Sequence, residues 1–433
     1  MNLEQMSVGF DTKVEASSPD RVNTTNRDQQ VTASETATAH IRPSVLIIFG
    51  GVALYGMERG VIETFDLLRP EVEPHFLISR TPRRMGLPVF DEIESRKFSY
   101  AFLSDHEGWE RLGKPKSISQ LYRMLVGLVR GNLDALREVR HQEILYLPGL
   151  FSAFYAFVAM LYCRVKGRRV FYHFHNLPDG PSFVLRVLAF LITDFVHNTR
   201  VGYDVTLWSN LYLGRKRNFI IPYPINVNAR SLEHASRSQE LDGKRRILYL
   251  GQVAHHKGVD FLLDAFDKLS LSHCDLVLDI VGGCEDPDLL QRLEAGRETN
   301  GCKIKWWGYQ DDVSQFLTTA CMYVQPTPPS RCEESFGIAL VEAMARGVPT
   351  VCFRSGALQE IAQNEETGLV CEEESSECLA SQMSRLLDDE PLRESCRNGA
   401  KERYESLYSS FRVKQEWLAA LDGFVDNRNN RND

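Results

Sequence analysis

Apolar residues in this chain gather in short runs that end in glycine or proline, separated by longer stretches with helical spacing. SVLIIFGG at 44–51 is the first such run. It predicts a buried parallel strand entering a tight turn, because a strand covered on both faces is continuously rather than alternately apolar. A helical pattern follows over 57–68, and EILYLPG (143–149) and RVFYHFH (169–175) repeat the strand signal. The polar stretch ARSLEHASRSQELDGK (229–244) interrupts the series and reads as a linker. A second series runs through RILYLG (246–251), DLVLDIVGG (275–283), KIKWWG (303–308), MYVQPT (322–327) and PTVCF (349–353). Strands alternating with helices predict βαβ units, so the fold class is α/β, with two Rossmann-like, doubly wound domains facing across a cleft.

Residues 1–40 are rich in Ser, Thr, Asn, Asp and Gln without apolar periodicity and read as a disordered tail. The amphipathic stretch 406–425 predicts a closing helix. The expected division is a tail (1–40), a first domain (41–228), a linker (229–244), a second domain (245–405), and a closing helix and tail (406–433). No repeat of solenoid length is visible.

Composition narrows the class. A chain of 433 residues, 43% hydrophobic and 25% charged, suits two soluble domains of ordinary size. The longest apolar stretch, 183–196, is interrupted by Arg186 and Asp194 and falls short of the roughly 20 residues that span a bilayer. The first residues lack a basic-then-apolar signal pattern, so the expected location is cytoplasmic. The ten cysteines are scattered singly from Cys163 to Cys396, without a CxxC pair or zinc spacing; reduced thiols and no metal are expected. Charge is uneven: 41–228 carries 24 Lys/Arg against 17 Asp/Glu, and 229–433 carries 23 against 35. The acidic second half opposes a nucleic-acid backbone, so no nucleic-acid partner is expected.

The densest chemistry lies in QPTPPSRCEESFGIALVEAMARGVPTV. A strand over 323–325 enters a proline-rich loop, and Gly337 then lets the backbone turn into a helix close to a ligand. The first amides of that helix, from Ile338 and Ala339 onward, have no intrahelical acceptor and face the positive end of the helix dipole, which makes a site for a diphosphate. Glu334 precedes this site and Glu342 follows it, about 12 Å along if the intervening residues were helical. Carboxylates there suit paired hydroxyls of a sugar on one side and of a ribose on the other.

ESFGIALVEAMA, with a strand and prolines before it and GVPTV after it, resembles the E-x7-E signature of the family-4 retaining glycosyltransferases, which have the two-Rossmann GT-B fold. The resemblance covers most of 44–421 and is densest over 246–370, where RILYLGQVAHHKGVDFLLDAF, DIVGG, WWGY and SGALQEIAQNEETGLV follow in the family's order. It implies that Glu334 meets the donor sugar's hydroxyls and Glu342 the ribose, that Phe336 and Gly337 line the sugar site, and that the Ile338 and Ala339 amides hold the diphosphate. Gly251 falls in the phosphate loop and Lys257 matches the phosphate-binding lysine, a flexible cation suited to a leaving group that gains charge. Gln252 stands where the family usually has arginine; it donates a hydrogen bond but neutralises no charge. YGMERGVIETF resembles the family's Gly-Gly-x-Glu-Arg loop, with Gly56 at the second glycine and Tyr55 at the first. In VFYHFHNLPDG both histidines lie on one strand face. The resemblance gives His175 a place near the reacting carbon, and His173 reads as structural.

The catalytic set implied is Glu334, His175 and Lys257, and the donor-binding set is Gly56, Gly251, Gln252, Lys257, Phe336, Gly337, Ile338, Ala339 and Glu342. The resemblance implies no cofactor, front-face attack, and a leaving diphosphate that helps deprotonate the acceptor. The expected activity is transfer of a hexosyl group from a nucleotide-diphosphate sugar to a glycan or lipid-linked acceptor, in polysaccharide or glycolipid synthesis. The acceptor is expected on the first domain, where the basic stretch 111–140 carries apolar residues at helical intervals and suits an anionic membrane surface or an ordinary amphipathic helix. Two alternatives share the fold: a nucleotide-sugar-binding protein with impaired turnover, and a nucleotide-sugar epimerase.

Overall fold

Short β-branched and leucine-rich runs make two seven-stranded sheets in the computed structural model, which describes residues 42–49, 56–80, 88–104, 117–175, 187–209, 216–225, 243–294, 298–299 and 301–422. The expected tail, most of the linker, and Tyr55 in the glycine loop lie outside the described residues.

The first sheet holds β1 (Ser44–Phe49), β2 (Glu73–Ile78), β3 (Ser99–Phe102), β4 (Ile144–Pro148), β5 (Arg169–Phe174), β6 (Asp194–His197) and β7 (Arg217–Ile220), in the order β3-β2-β1-β4-β5-β6-β7. Every pairing is parallel; Ile47 of β1 lies between Phe76 of β2 and Tyr146 of β4. The second sheet holds β8 (Arg245–Leu250), β9 (Leu276–Val281), β10 (Glu298–Thr299), β11 (Cys302–Trp306), β12 (Ala320–Gln325), β13 (Thr350–Phe353) and β14 (Gly368–Cys371), in the order β10-β11-β9-β8-β12-β13-β14. Its one antiparallel member is the two-residue edge strand β10. Central strands such as β4 and β9 are buried along their whole length, as expected of parallel strands under helices on both faces.

Each sheet reverses its strand order once, between β1 and β4 and between β8 and β12. Ligands of open α/β sheets sit beyond the carboxyl ends of the strands at such points. The loops after β8 and β12 therefore meet, and they carry Lys257 and Glu334.

The closing helix is Ser410–Asp422, preceded by a π-turn at Tyr404–Tyr408. It packs on the first sheet, with Trp417 6.2 Å from Tyr146 and 6.3 Å from Phe171. Arg169 holds Asp194 through two bonds of 3.0 and 2.8 Å and donates to the Ala420 carbonyl at 2.7 Å. The Asp194 carboxylate is fully enclosed, a burial tolerable only because it is paired. None of the ten cysteines is in a disulfide.

Candidate active site

The loop after β12 is organised around one carboxylate. Glu334 is buried, and its Oε1 accepts from Lys257 Nζ (2.7 Å), Thr327 Oγ1 (2.8 Å) and Gln325 Nε2 (3.1 Å). These are the bonds the described residues make to that carboxylate, and all reach the same oxygen. A buried anion is stable here because a cation and two neutral donors satisfy it together.

Glycines bring the two loops into contact. Gly258, next to Lys257, has φ 73°, and a Cβ there would stand 1.8 Å from the Pro326 carbonyl oxygen. A Cβ on Gly282 would stand equally close to the carbonyl oxygen of Gly251. Only glycine fits such approaches. Tyr249 closes the turn by donating to the Gln252 carbonyl at 2.7 Å, which leaves the Gln252 side chain exposed. His255 faces Asp260 and Asp286, each at 3.6 Å. Partial burial and the neighbouring Lys257 ammonium lower the pKa of His256, opposed by the Glu334 carboxylate.

The helix Ile338–Ala345 starts from Gly337, which has φ 89° and ψ 59°, and the first helical bond runs from Val341 N to the Gly337 carbonyl. The amides of Ile338 and Ala339 precede that bond and have no helical acceptor. Both residues are partly exposed. Gly56 begins the first-domain helix Gly56–Leu68, and a Cβ there would come 3.4 Å from Ile338 Cδ1. The two domains therefore meet at the start of the Ile338 helix. Glu342 is buried further along and accepts from Arg59 Nη2 of the first domain at 2.9 Å.

The ring of Phe336 is 2% exposed and packs edge-on against Tyr223 at 5.3 Å and Tyr408 at 6.0 Å, which makes it a support for Tyr223.

Tyr223 in turn connects the second domain to the histidines at the end of β5. The ring of His175 stacks on Tyr223 at 5.6 Å, and its Nδ1 is hydrogen-bonded to the tyrosine hydroxyl. The Nε2 is buried and has no partner among the described residues. His173 differs: its Nε2 is bonded to Asn198 Oδ1 at 2.8 Å and its Nδ1 to the Tyr146 hydroxyl. Burial pushes the pKa of His173 down to about 3, and burial with His173 alongside pushes that of His175 well below the usual range. Both rings are neutral at physiological pH, and His175 has one nitrogen left to offer a ligand.

The geometry thus joins Lys257 to Glu334, and Gly56 to Ile338. Four contributors escape sequence reasoning: Gln325, Thr327, Arg59 and Tyr223. Gln325 and Thr327 carried a signal, since a buried strand end bearing two polar residues before a proline loop needs an acceptor. Arg59 and Tyr223 meet partners far away in sequence, and Gly60 gave only a hint: a Cβ on it would stand 2.3 Å from the Tyr223 ring.

Among solved structures, that of Anabaena HepE in complex with UDP and glucose superposes with a TM-score of 0.67 at 14% identity, covering 88% of this chain and 100% of the other. The fold is GT-B. Residues 232–403 match the family described as glycosyl transferases group 1, a stretch that includes Lys257, Glu334 and Glu342. The N-acetyl-alpha-D-glucosaminyl L-malate synthase of Bacillus anthracis is 28% identical over 195 residues, 44% of this chain and 49% of that protein. The N,N'-diacetylbacillosaminyl-diphospho-undecaprenol alpha-1,3-N-acetylgalactosaminyltransferase of Campylobacter jejuni is 24% identical over 309 residues, 68% of this chain and 78% of that one. In several curated relatives the match spans about half of the relative's length.

Proposed function

We propose that this chain is a retaining hexosyl transferase that moves a sugar from a nucleotide-diphosphate donor to a glycan or lipid-linked acceptor in polysaccharide or glycolipid synthesis. The observation that carries this reading is the Lys257–Glu334 pair lying in the loops that meet at the switch point, just before the Gly337 helix start. A diphosphate at the Ile338 and Ala339 amides places an anion where a helix terminus and a lysine both favour it. Glu334 then receives the sugar's hydroxyls and Glu342 the ribose hydroxyls, in exchange for its contact with Arg59. Gly251 and Gln252 border the phosphates, and the neutral His175 offers Nε2 to the sugar from the first domain.

In the step proposed, the bond from the anomeric carbon to the diphosphate oxygen breaks on the face where the acceptor oxygen bonds. The acceptor's proton passes to the departing diphosphate. Lys257 and the helix amides stabilise the charge that develops there, and the rest of the rate comes from positioning. The Campylobacter relative, whose name specifies a diphospho-undecaprenol acceptor, and the HepE complex, which contains UDP and glucose, support the classes of acceptor and donor. A cytoplasmic protein peripheral on the inner membrane face fits such an acceptor.

Purified protein incubated with UDP-, GDP- and ADP-sugars tests the reading. Transfer or slow donor hydrolysis with retained anomeric configuration, followed by NMR, is the expected result. Release of an epimerised donor moves the assignment to an epimerase. Binding without turnover moves it to a sugar-nucleotide-binding protein, and an inverted product overturns the mechanism.

A further inference from the structure

The helix Ile118–Val139 is apolar on more than its inner face. Its buried side combines Gly127, Gly131, Asn132, Ala135 and Val139 with the partly buried Leu128 and Leu136, which pack on the core. A Cβ on Gly131 would stand 2.5 Å from Tyr155 Cδ1, so the missing side chain is what lets the next helix pack close. A further set of large apolar residues faces outward: Ile118 is 89% exposed, Tyr122 66%, Leu125 54%, Val129 60% and Leu133 58%. Their spacing of three to four residues sets them in a stripe along about 22 Å of helix. Phe154, Phe157 and Phe190 extend it sideways. A cavity of about 530 Å³ opens within the patch, walled by Leu133, Phe154, Phe157 and Val187.

A soluble surface does not leave so large a contiguous apolar area without something to cover it. The charges around it indicate what that is. Arg130 and Arg137 stand exposed on the adjoining ridge of the helix, and Arg140, Arg164 and Lys166 are exposed nearby. Residues 118–168 carry seven Lys/Arg against three Asp/Glu. Each of the three carboxylates contacts another part of the domain: Asp134 accepts from Ser104 N at 2.6 Å, Glu138 lies 3.5 Å from His75 Nε2, and Glu143 accepts from Ser44 N at 3.2 Å. The outer rim is therefore cationic around an apolar centre. Among the described residues no helix is long and apolar enough to cross a membrane, so any attachment through this face is superficial.

We propose that this face docks on an anionic phospholipid bilayer, with the stripe lying at the headgroup–acyl boundary, a hydrocarbon chain entering the cavity, and the arginines meeting headgroup phosphates. This assignment rests on the geometry of the first domain and is independent of the donor chemistry.

Flotation of the full chain with phosphatidylcholine vesicles, with and without phosphatidylglycerol, tests it. The protein is expected to float with the anionic vesicles and to be released by salt. The double variant Leu125→Glu/Val129→Glu is expected to lose roughly tenfold or more of that binding. Both side chains are exposed, so an unchanged urea midpoint shows that the fold is intact. Arg130→Glu/Arg137→Glu serves as the second variant and is expected to weaken binding to anionic vesicles. Failure of the parent to float overturns the proposal, as do variants that float equally well. Sedimentation of the parent as a stable dimer that Leu125→Glu/Val129→Glu dissociates overturns it in favour of self-association.

Discussion

The carboxyl edges of the two sheets are built on opposite terms. At the edge of the second, Glu334 is held by three donors, and two glycines bring backbone against backbone. At the edge of the first, His175 makes one hydrogen bond and leaves a buried nitrogen without a partner among the described residues. Unmade hydrogen bonds in a protein interior are costly, so the two edges differ in how far their own residues satisfy them. The second edge is satisfied by its own side chains, whereas the first leaves one nitrogen open among the described residues.

The most severe way to break this contrast is Glu334→Gln. It keeps the shape but removes the charge that Lys257 faces, and transfer is expected to fall about 10²- to 10³-fold with the urea midpoint little changed. A steady-state assay checks it, and near-normal turnover removes Glu334 from the chemistry.

Backbone closeness is tested by Gly258→Ala beside Gly308→Ala. Both glycines have positive φ, 73° and 64°, but only Gly258 faces the Pro326 carbonyl, while a Cβ on Gly308 meets nothing within 4 Å. The Gly308 variant is expected to lose about 1 kcal/mol, the ordinary cost of a side chain in that region. Gly258→Ala is expected to lose about 3 kcal/mol or more, because the loop must also shift. Urea denaturation of the two variants gives the difference directly, and equal losses refute the close approach.

The histidine edge responds to pH. The folded-state pKa of His173 is about 3 and that of His197 about 4, below the ordinary 6.5, and that of His175 is lowered as well. The unfolded chain therefore binds more protons than the folded one below pH 6.5. Stability is expected to be level above that pH and to fall beneath it, by up to about 1.4 kcal/mol per pH unit for each histidine. Urea midpoints at a series of pH values measure the slope, which His173→Asn is expected to reduce by one proton.

The smallest effect concerns the Gln252 side chain, which is exposed in the loop after β8. Gln252→Arg adds a charge-assisted contact and is expected to lower the donor KM by up to about tenfold. An unchanged KM leaves the missing charge to be supplied from elsewhere, with Arg59 the next residue to replace.

How much of this was legible in the sequence follows the range of the interactions. The strands were readable because burial on both faces makes apolar runs that need no partner to be recognised. The Gly337 helix start was readable because its parts lie within about ten residues of one another. Arg59 meeting Glu342, and Tyr223 meeting His175, depend on how the sheets are ordered, and no local pattern carries that. The helix Ile118–Val139 was legible only in part: its apolar period was visible, but periodicity does not say which face is turned inward. Here Gly131 marks the inner face, where a Cβ would meet the Tyr155 ring, with Leu128 and Leu136 beside it.

Residues 410–422 have a consequence for the order in which the molecule can be made. Trp417 completes the packing of β4 and β5, and the Ala420 carbonyl satisfies the guanidinium that neutralises buried Asp194. During synthesis the first sheet therefore remains an unfinished unit, with part of its interior open to water, until the whole second domain has left the ribosome. The half translated first is the half sealed last.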